Sequence, residues 1–262
     1  MPVNWLDTKN LSFNSLLLLE GVQICWLKDL PAEVEPAMAA ALKANPTVAW
    51  FLKHKCSTIS PWLKKISALA DPDNTPETIY AAEQDVLKTI NDWLVYVVAP
   101  DIYDNQPFLM WDDQELTSLV EFEDKIVLDI GSGTGRLAFL AAQNAFAVYP
   151  VEPVANLRLF IKAKANNLGI NNIYPVDGLI TDIPFHDNFG DITMGGHVFG
   201  DNPEEERHEL ERVTRPGGMV ILCPGNNDKD TLAHKVLTTN SYSWSRFKEP
   251  EDSWKRKYWK TI

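Results

Sequence analysis

Apolar and polar positions change their period near residue 105. Before it, apolar residues recur at helical spacing over 32–44, over 48–55 and over a longer stretch, 76–99. Thr75 can cap the last of these and Pro76 suits its first turn. Asn45-Pro46 and Asp71-Pro72-Asp73-Asn74 punctuate the helices. Trp26, Trp50, Trp62 and Trp93 recur at irregular intervals and read as core aromatics. After residue 105 the pattern shortens into compact apolar runs bounded by turn residues. The first, Ile126-Val127-Leu128, reads as a buried strand. At the end of the chain, 241–247 and 257–262 alternate polar and aromatic residues around Glu249-Pro250-Glu251-Asp252, the pattern of an antiparallel pair. Pro224-Gly225-Asn226-Asn227 reads as a loop leading to a helix over 231–237.

The first strand runs directly into Asp129-Ile130-Gly131-Ser132-Gly133-Thr134-Gly135-Arg136, followed by an Ala/Leu-rich helical segment. Glycines at a strand-to-helix junction allow tight turning and close approach of a ligand to the backbone. The dinucleotide fingerprint G-x-G-x-x-G requires glycine at 136, where this chain has Arg. The spacing D-x-G-x-G-x-G instead resembles motif I of the class I S-adenosylmethionine-dependent methyltransferases. That resemblance implies an α/β fold: a doubly wound, seven-stranded, mostly parallel sheet over 106–262, with residues 1–105 as an N-terminal helical cap that shapes the substrate region.

Further segments resemble the family at its spacing. Phe146-Ala147-Val148-Tyr149-Pro150-Val151-Glu152 is similar to the second strand, whose terminal acid accepts the ribose hydroxyls; Glu152 takes that place. Ile173-Tyr174-Pro175-Val176 is similar to the third, with Asp177 toward the adenine amino group and the Gly178 backbone toward a ring nitrogen. The stretch 189–199, with Gly195 and His197, resembles the fourth strand and the segment beside the transferring methyl. Arg215-Pro216-Gly217-Gly218 before Met219-Val220-Ile221-Leu222-Cys223 resembles the turn into the fifth. The implied cofactor is S-adenosyl-L-methionine, leaving S-adenosyl-L-homocysteine. Asp129, Gly131, Ser132, Gly133 and Gly135 would hold its amino-acid end, Asp129 through ordered water.

Methyl transfer needs a base only where the acceptor keeps its proton. His197 is the best-placed titratable group for that task. His186 reads as part of an ordinary turn, and Asp191 as fixing the edge of the fourth strand. Tyr103 and Trp111 precede the first strand, where similar enzymes close over the cofactor, and an aromatic there can meet the sulfonium cation. Packing of the domain junction is the competing role for both rings. Asp112, with Glu115 three residues on, can cap a helix between them and the strand.

Charge narrows the acceptor. The net charge is −12, and residues 101–200 carry 14 acidic against 5 basic groups, so the field falls mainly on the cofactor motifs. Such a field disfavours nucleic acid and tolerates a sulfonium, pointing to a small-molecule acceptor; solubility alone is the plainer explanation. Lys255-Arg256-Lys257 is too short for a nucleic-acid arm. No apolar run approaches the ~20 residues that span a bilayer, and no basic region precedes Leu16-Leu17-Leu18-Leu19 as in a signal peptide. A cytoplasmic enzyme is expected. Cys25, Cys56 and Cys223 are widely spaced, without a C-x-x-C pair, and read as buried free thiols with no metal site. The rival readings are a protein methyltransferase, a non-catalytic binder of the same cofactor, and a nicotinamide oxidoreductase. Arg136 and the R-P-G-G turn argue against the last.

Overall fold

The computed structural model describes residues 4–70, 75–223, 228–251 and 253–262. The expected turn at 71–74, the loop at 224–227 and Asp252 lie outside them. The chain divides into two compact units, Met1–Tyr103 and Asp104–Ile262.

The first unit is helical: α1 (Gly21–Trp26), α2 (Glu35–Ala44), α3 (Pro46–Lys55), α4 (Ser60–Ser67), α5 (Pro76–Thr89), α6 (Asn91–Val98) and the start of α7 (Pro100–Asp104). Its core gathers Leu16, Ile24, Met38, Leu52, Ile66 and Leu87, all essentially inaccessible. Thr75 caps α5 as expected, accepting from the Thr78 N–H at 3.3 Å. The expected helix over 76–99 is broken at Ile90. There the chain turns so that the fully buried Asn91 amide can bind the Trp5 and Leu6 N–H groups and the Leu6 carbonyl, at 2.8, 2.9 and 3.0 Å. An unpaired buried amide would cost about 1–3 kcal/mol, enough to set a helix boundary.

Two further sequence expectations fail in this unit. Trp50 is 64% exposed and stacks on His54, its neighbour one helical turn on, instead of entering the core. Trp26 and Trp93 meet edge to face, and Trp62 donates to Glu35 Oε1 at 3.1 Å. Cys25 and Cys56 are joined as a disulfide, not free. Linear spacing hides the pairing because α1 and α3 pack together and bring the two Cα atoms, 31 residues apart in sequence, to 6.3 Å. Cys223 alone is a buried free thiol.

The second unit carries a mixed sheet. Its strands are β1 (Ile126–Ile130), β2 (Ala147–Val151), β3 (Gly190–Gly196), β4 (Thr214–Cys223), β5 (Ser243–Lys248) and β6 (Trp254–Thr261), in the order β2-β1-β3-β4-β6-β5. The first four are mutually parallel, and β6 runs antiparallel between β4 and β5, as the alternation at the chain's end predicts. The helices are α8 (Gln114–Thr117), α9 (Arg136–Ala141), α10 (Ala155–Leu168), α11 (Pro203–Val213) and α12 (Leu232–Thr239). Successive residues of a strand face opposite sides. Val127 thus joins Ile161, Met194 and Ile221 in one apolar layer, while Leu128 and Ile130 join Leu210, Val220, Leu222 and Tyr258 in the other.

The sheet has six strands among the described residues, not the expected seven. The segment 173–176 lies beside β2 but touches it only through two isolated bridges, Val148 to Ile173 and Val151 to Val176. The cause is Pro150 in β2, which has no N–H to offer the Tyr174 carbonyl. The bonds on either side of the gap are made: Tyr174 N–H to Val148 O at 2.9 Å and Val176 N–H to Pro150 O at 2.8 Å. The residues of the R-P-G-G turn lie within β4, where the register against β3 shifts between Gly190 and Ile192.

Candidate active site

The strand order reverses direction between β1 and β3, and in open α/β sheets the crevice beyond the strand ends at such a switch point is where ligands bind. Leaving β1, Gly131 adopts φ +63° and its N–H binds Val151 O at 2.8 Å. A side chain there would be strained and would overlap Val198, which follows β3, so glycine lets the two strand ends lie against each other. Ile130 pairs with Gly195 in the ladder, and a Cβ on Gly195 would come within 3.1 Å of the Ile130 carbonyl. Gly133 donates its N–H to Glu152 Oε2 at 2.9 Å, and Gly135 caps α9 in the left-handed region. Ser132 Oγ and Thr134 Oγ1 are buried with no hydrogen-bond partner. Two orphaned hydroxyls in one glycine loop are costly unless something else binds them.

Asp129 and Glu152 lie 1% and 5% exposed behind this loop. Asp129 Oδ2 accepts the Ala138 N–H at 2.9 Å, tying the strand end to α9. Burial, the dominant cause, with the nearby Glu152 carboxylate adding, pushes the Asp129 carboxyl up to about 8. Glu152 Oε1 accepts the Val154 N–H at 3.0 Å. Burial raises its carboxyl to about 7, against the opposing pull of those backbone hydrogen bonds and of Arg158. Arg158 joins two of the expected site residues, donating to the Glu152 carbonyl at 2.6 Å and to Asp177 Oδ1 at 2.9 Å. Asp177 is largely exposed. Gly178 packs against Pro184 and Val151, with no room for a side chain.

The residues expected to close over the cofactor are placed differently. Trp111 is buried, its ring 5.3 Å from Phe247. The cation over it is the Arg136 guanidinium, 5.3 Å from the ring centroid. Arg136, at the position where the dinucleotide fingerprint needs glycine, also donates to the carbonyls of Leu109 and Trp111 at 2.8 and 2.9 Å and pairs with Asp113. It thereby clamps 109–113 to the glycine loop. Tyr103 belongs to the first unit and packs on Tyr96 and Trp5. Asp112 accepts the Gln114 N–H at 2.9 Å, whereas Glu115 pairs with Lys257.

His197 follows β3 with φ +59°, anchored by its N–H to Cys223 O at 2.9 Å. Its imidazole Nε2 is 2.6 Å from Glu249 Oε1, and the Phe108 ring meets it edge on at 5.3 Å. Sequence reasoning misses Glu249. Within Glu-Pro-Glu-Asp it reads as a solvated turn, yet it is fully buried. Lys255-Arg256-Lys257 is likewise buried, in β6, and each residue faces carboxylates. Asp191 accepts the Ile126 N–H at 2.7 Å and pairs with Arg215, fixing the strand edge as expected. His186 Nδ1 lies 2.7 Å from the Asp187 carbonyl, in a turn. Among the described residues no group of three or more His, Cys, Asp or Glu is placed to hold a metal, and no helix is long and apolar enough to cross a membrane.

Residues 128–222 match the family model described as a methyltransferase domain. The sheet and its helices have the class I methyltransferase fold. S-adenosylmethionine is the cofactor of that class, and the glycine loop, the buried acid after β2 and the two unpaired hydroxyls fit it. Curated relatives include the histone-arginine methyltransferase CARMER of Drosophila persimilis and the probable one of Drosophila melanogaster, each 27% identical over 138 residues. The match spans 50% of this chain and 26% of theirs, about a quarter of their length. Among solved structures, the complex of the Haloferax volcanii Trm112 methyltransferase activator with a methyltransferase is 12% identical. It covers 63% of this chain and 80% of that one, at a TM-score of 0.50, a likeness of fold alone. A SAM-dependent methyltransferase from Aquifex aeolicus is 17% identical over 61% of this chain and 94% of its own, at 0.49.

Proposed function

We propose that this protein transfers the methyl group of S-adenosylmethionine to a small-molecule acceptor by in-line displacement. The observation that carries the reading is the glycine loop at the switch point, with Glu152 bonded to its backbone at 2.9 Å. In this reading Glu152 accepts the ribose hydroxyls, Asp177 and the Gly178 backbone face the adenine, and Asp129 with Gly131, Ser132, Gly133 and Gly135 holds the amino-acid end. Gly195 keeps the floor of the methyl site clear. When bound, the cofactor supplies an electrophilic methyl on a cationic sulfur, so the chain's own task is largely to hold reactants collinear and exclude water. The acidic field of this segment suits a cationic ligand. Residues 1–105 serve as the cap that selects the acceptor.

The CARMER matches favour a second reading, a protein acceptor. A panel of small-molecule acceptors run beside arginine-containing peptides, with radiolabelled methyl donor, separates the two by which product carries label. The cofactor site itself is tested by calorimetric titration with S-adenosylhomocysteine. Binding in the wild type is expected, and Glu152→Ala should weaken it by about 1–3 kcal/mol, the usual cost of orphaning hydrogen-bonded ligand groups. Equal affinity in the variant would remove Glu152 from the site.

A further inference from the structure

The helical unit carries a cavity of its own. It measures about 540 Å³, within the range of small-molecule sites, and lies among α2, α3, α4 and the residues just after α4. Leu42 of α2 and Leu63 and Ile66 of α4 give it aliphatic walls. Where the three helices face this space the remaining side chains are small, among them Ala39, Ala49 and Ser67, and leave it unfilled. Larger apolar residues there would bury more surface, so the small set forgoes contacts that a bound apolar group would restore. The walls are held by bonds outside the cavity. Glu35 of α2 accepts from Trp62 Nε1 and Lys65 Nζ of α4 at 3.1 and 2.9 Å, and the Cys25–Cys56 disulfide ties the end of α3 to α1.

The charges around this space have one sign. Lys43, Lys53 and Lys64 line it and are exposed, in a chain of net charge −12. Among the described residues no acidic, aromatic or arginine side chain lines it, and neither Lys53 nor Lys64 forms an ion pair, whereas the adjacent Lys65 is paired with Glu35. A cation is therefore repelled, and the ring contacts that hold a sulfonium or a nucleobase are missing from the lining. So are the forked guanidinium and the glycine loop that suit a phosphate.

We propose that this cavity binds a free aliphatic carboxylate of the medium-chain fatty-acid class, with the alkyl chain among α2, α3 and α4 and the carboxylate at Lys53 and Lys64. Lysine stems lie along apolar surface while their ammonium groups stay in water, so the head is met at the mouth and no charge is buried. Exposed ion pairs are individually weak, so the alkyl chain supplies most of the affinity and the lysines supply the choice of sign. Every lining residue belongs to the first unit, so the site stands whether or not the second unit transfers a methyl group.

Calorimetric titration of the full-length protein with decanoate, decanol and decylammonium tests this. Decanoate should bind at one site per chain and decylammonium at least severalfold more weakly, against the sign of the net charge. From hexanoate to decanoate each added methylene should tighten binding by up to about fourfold, the gain for a methylene removed from water. The double variant Lys53→Gln, Lys64→Gln should bind decanoate severalfold more weakly and decanol as before, a split that a general disturbance of the helices would not produce. Ala49→Leu should fill the space and abolish binding of both, with a melting temperature no lower than that of the wild type. Absence of decanoate binding in folded protein, equal affinity for the two ions, or unchanged binding in either variant would overturn the proposal. Binding to vesicles of anionic phospholipid without binding of free decanoate would do the same, in favour of a membrane surface. If Ala49→Leu fails to fold, the lysine variant decides.

Discussion

Unfolding free energy is expected to fall as pH rises from about 5 to 8.5, the reverse of the usual carboxylate effect. Asp129 and Glu152 have carboxyls raised by burial to about 8 and about 7. The folded state therefore binds protons more tightly than the unfolded chain. Their contribution is complete below the unfolded values near 4 and is lost as pH climbs through 7 and 8. At roughly 1.4 kcal/mol per unit, Glu152 alone contributes on the order of 3 kcal/mol. Groups shifted downward, such as Glu209 beside Arg212, act only below this window, and the Cys223 thiol acts above it. Urea melts at closely spaced pH values measure the slope. Asp129→Asn keeps an oxygen for the Ala138 N–H and removes one titration, so the slope should flatten. Stability rising across the window, or an unaltered slope in the variant, would contradict the assignment. Binding of a cationic cofactor should oppose the trend, because it favours the ionised carboxylates.

The glycine loop and the acids packed beside it are legible in the sequence because their signal is local. Asp129, the three loop glycines and Glu152 sit within 24 residues of sequence, and each is dictated by backbone geometry at a strand end. Where recognition depends on which strands pair, the reading faltered. Pro150 is an unremarkable residue in a β2 apolar run, yet by removing one N–H it turns an expected third strand into two bridges. Long-range partners were out of reach altogether. Nothing within Glu249-Pro250-Glu251 distinguishes the first glutamate from the third residue, and only the fold carries Glu249 52 residues along the chain to His197.

The same distinction separates Trp50 and Arg136 from the residues that were read well. Trp50 has the hydrophobicity of a core residue, but its position on α3 faces solvent and its ring is satisfied by His54. Arg136 served in the sequence only as evidence against a dinucleotide site. In the fold it holds 109–113 against the loop, which gives a positive reason for arginine where another family has glycine. The Cys25–Cys56 bridge belongs with these: a contact between α1 and α3 that no spacing rule anticipates.

Gly131→Val is the substitution expected to damage the site most. Two costs coincide at this position. The backbone stands at φ +63°, where a side chain pays about 1–2 kcal/mol, more for a β-branched one. The new Cβ would also overlap Val198 at its own Cβ and Cγ2, atoms close to the backbone that cannot swing aside. Relief requires 195–198 to move, and with it the ring of His197, so S-adenosylhomocysteine binding should disappear and stability should fall by several kcal/mol. Gly169→Val is the control. It has φ +69° at the end of α10 but nothing within 4 Å of the added atom, so it pays the backbone cost alone. Calorimetry on both variants, with melting curves, separates strain from collision. If Gly131→Val bound the cofactor product as well as Gly169→Val does, the close approach of the two strand ends would not be part of the pocket.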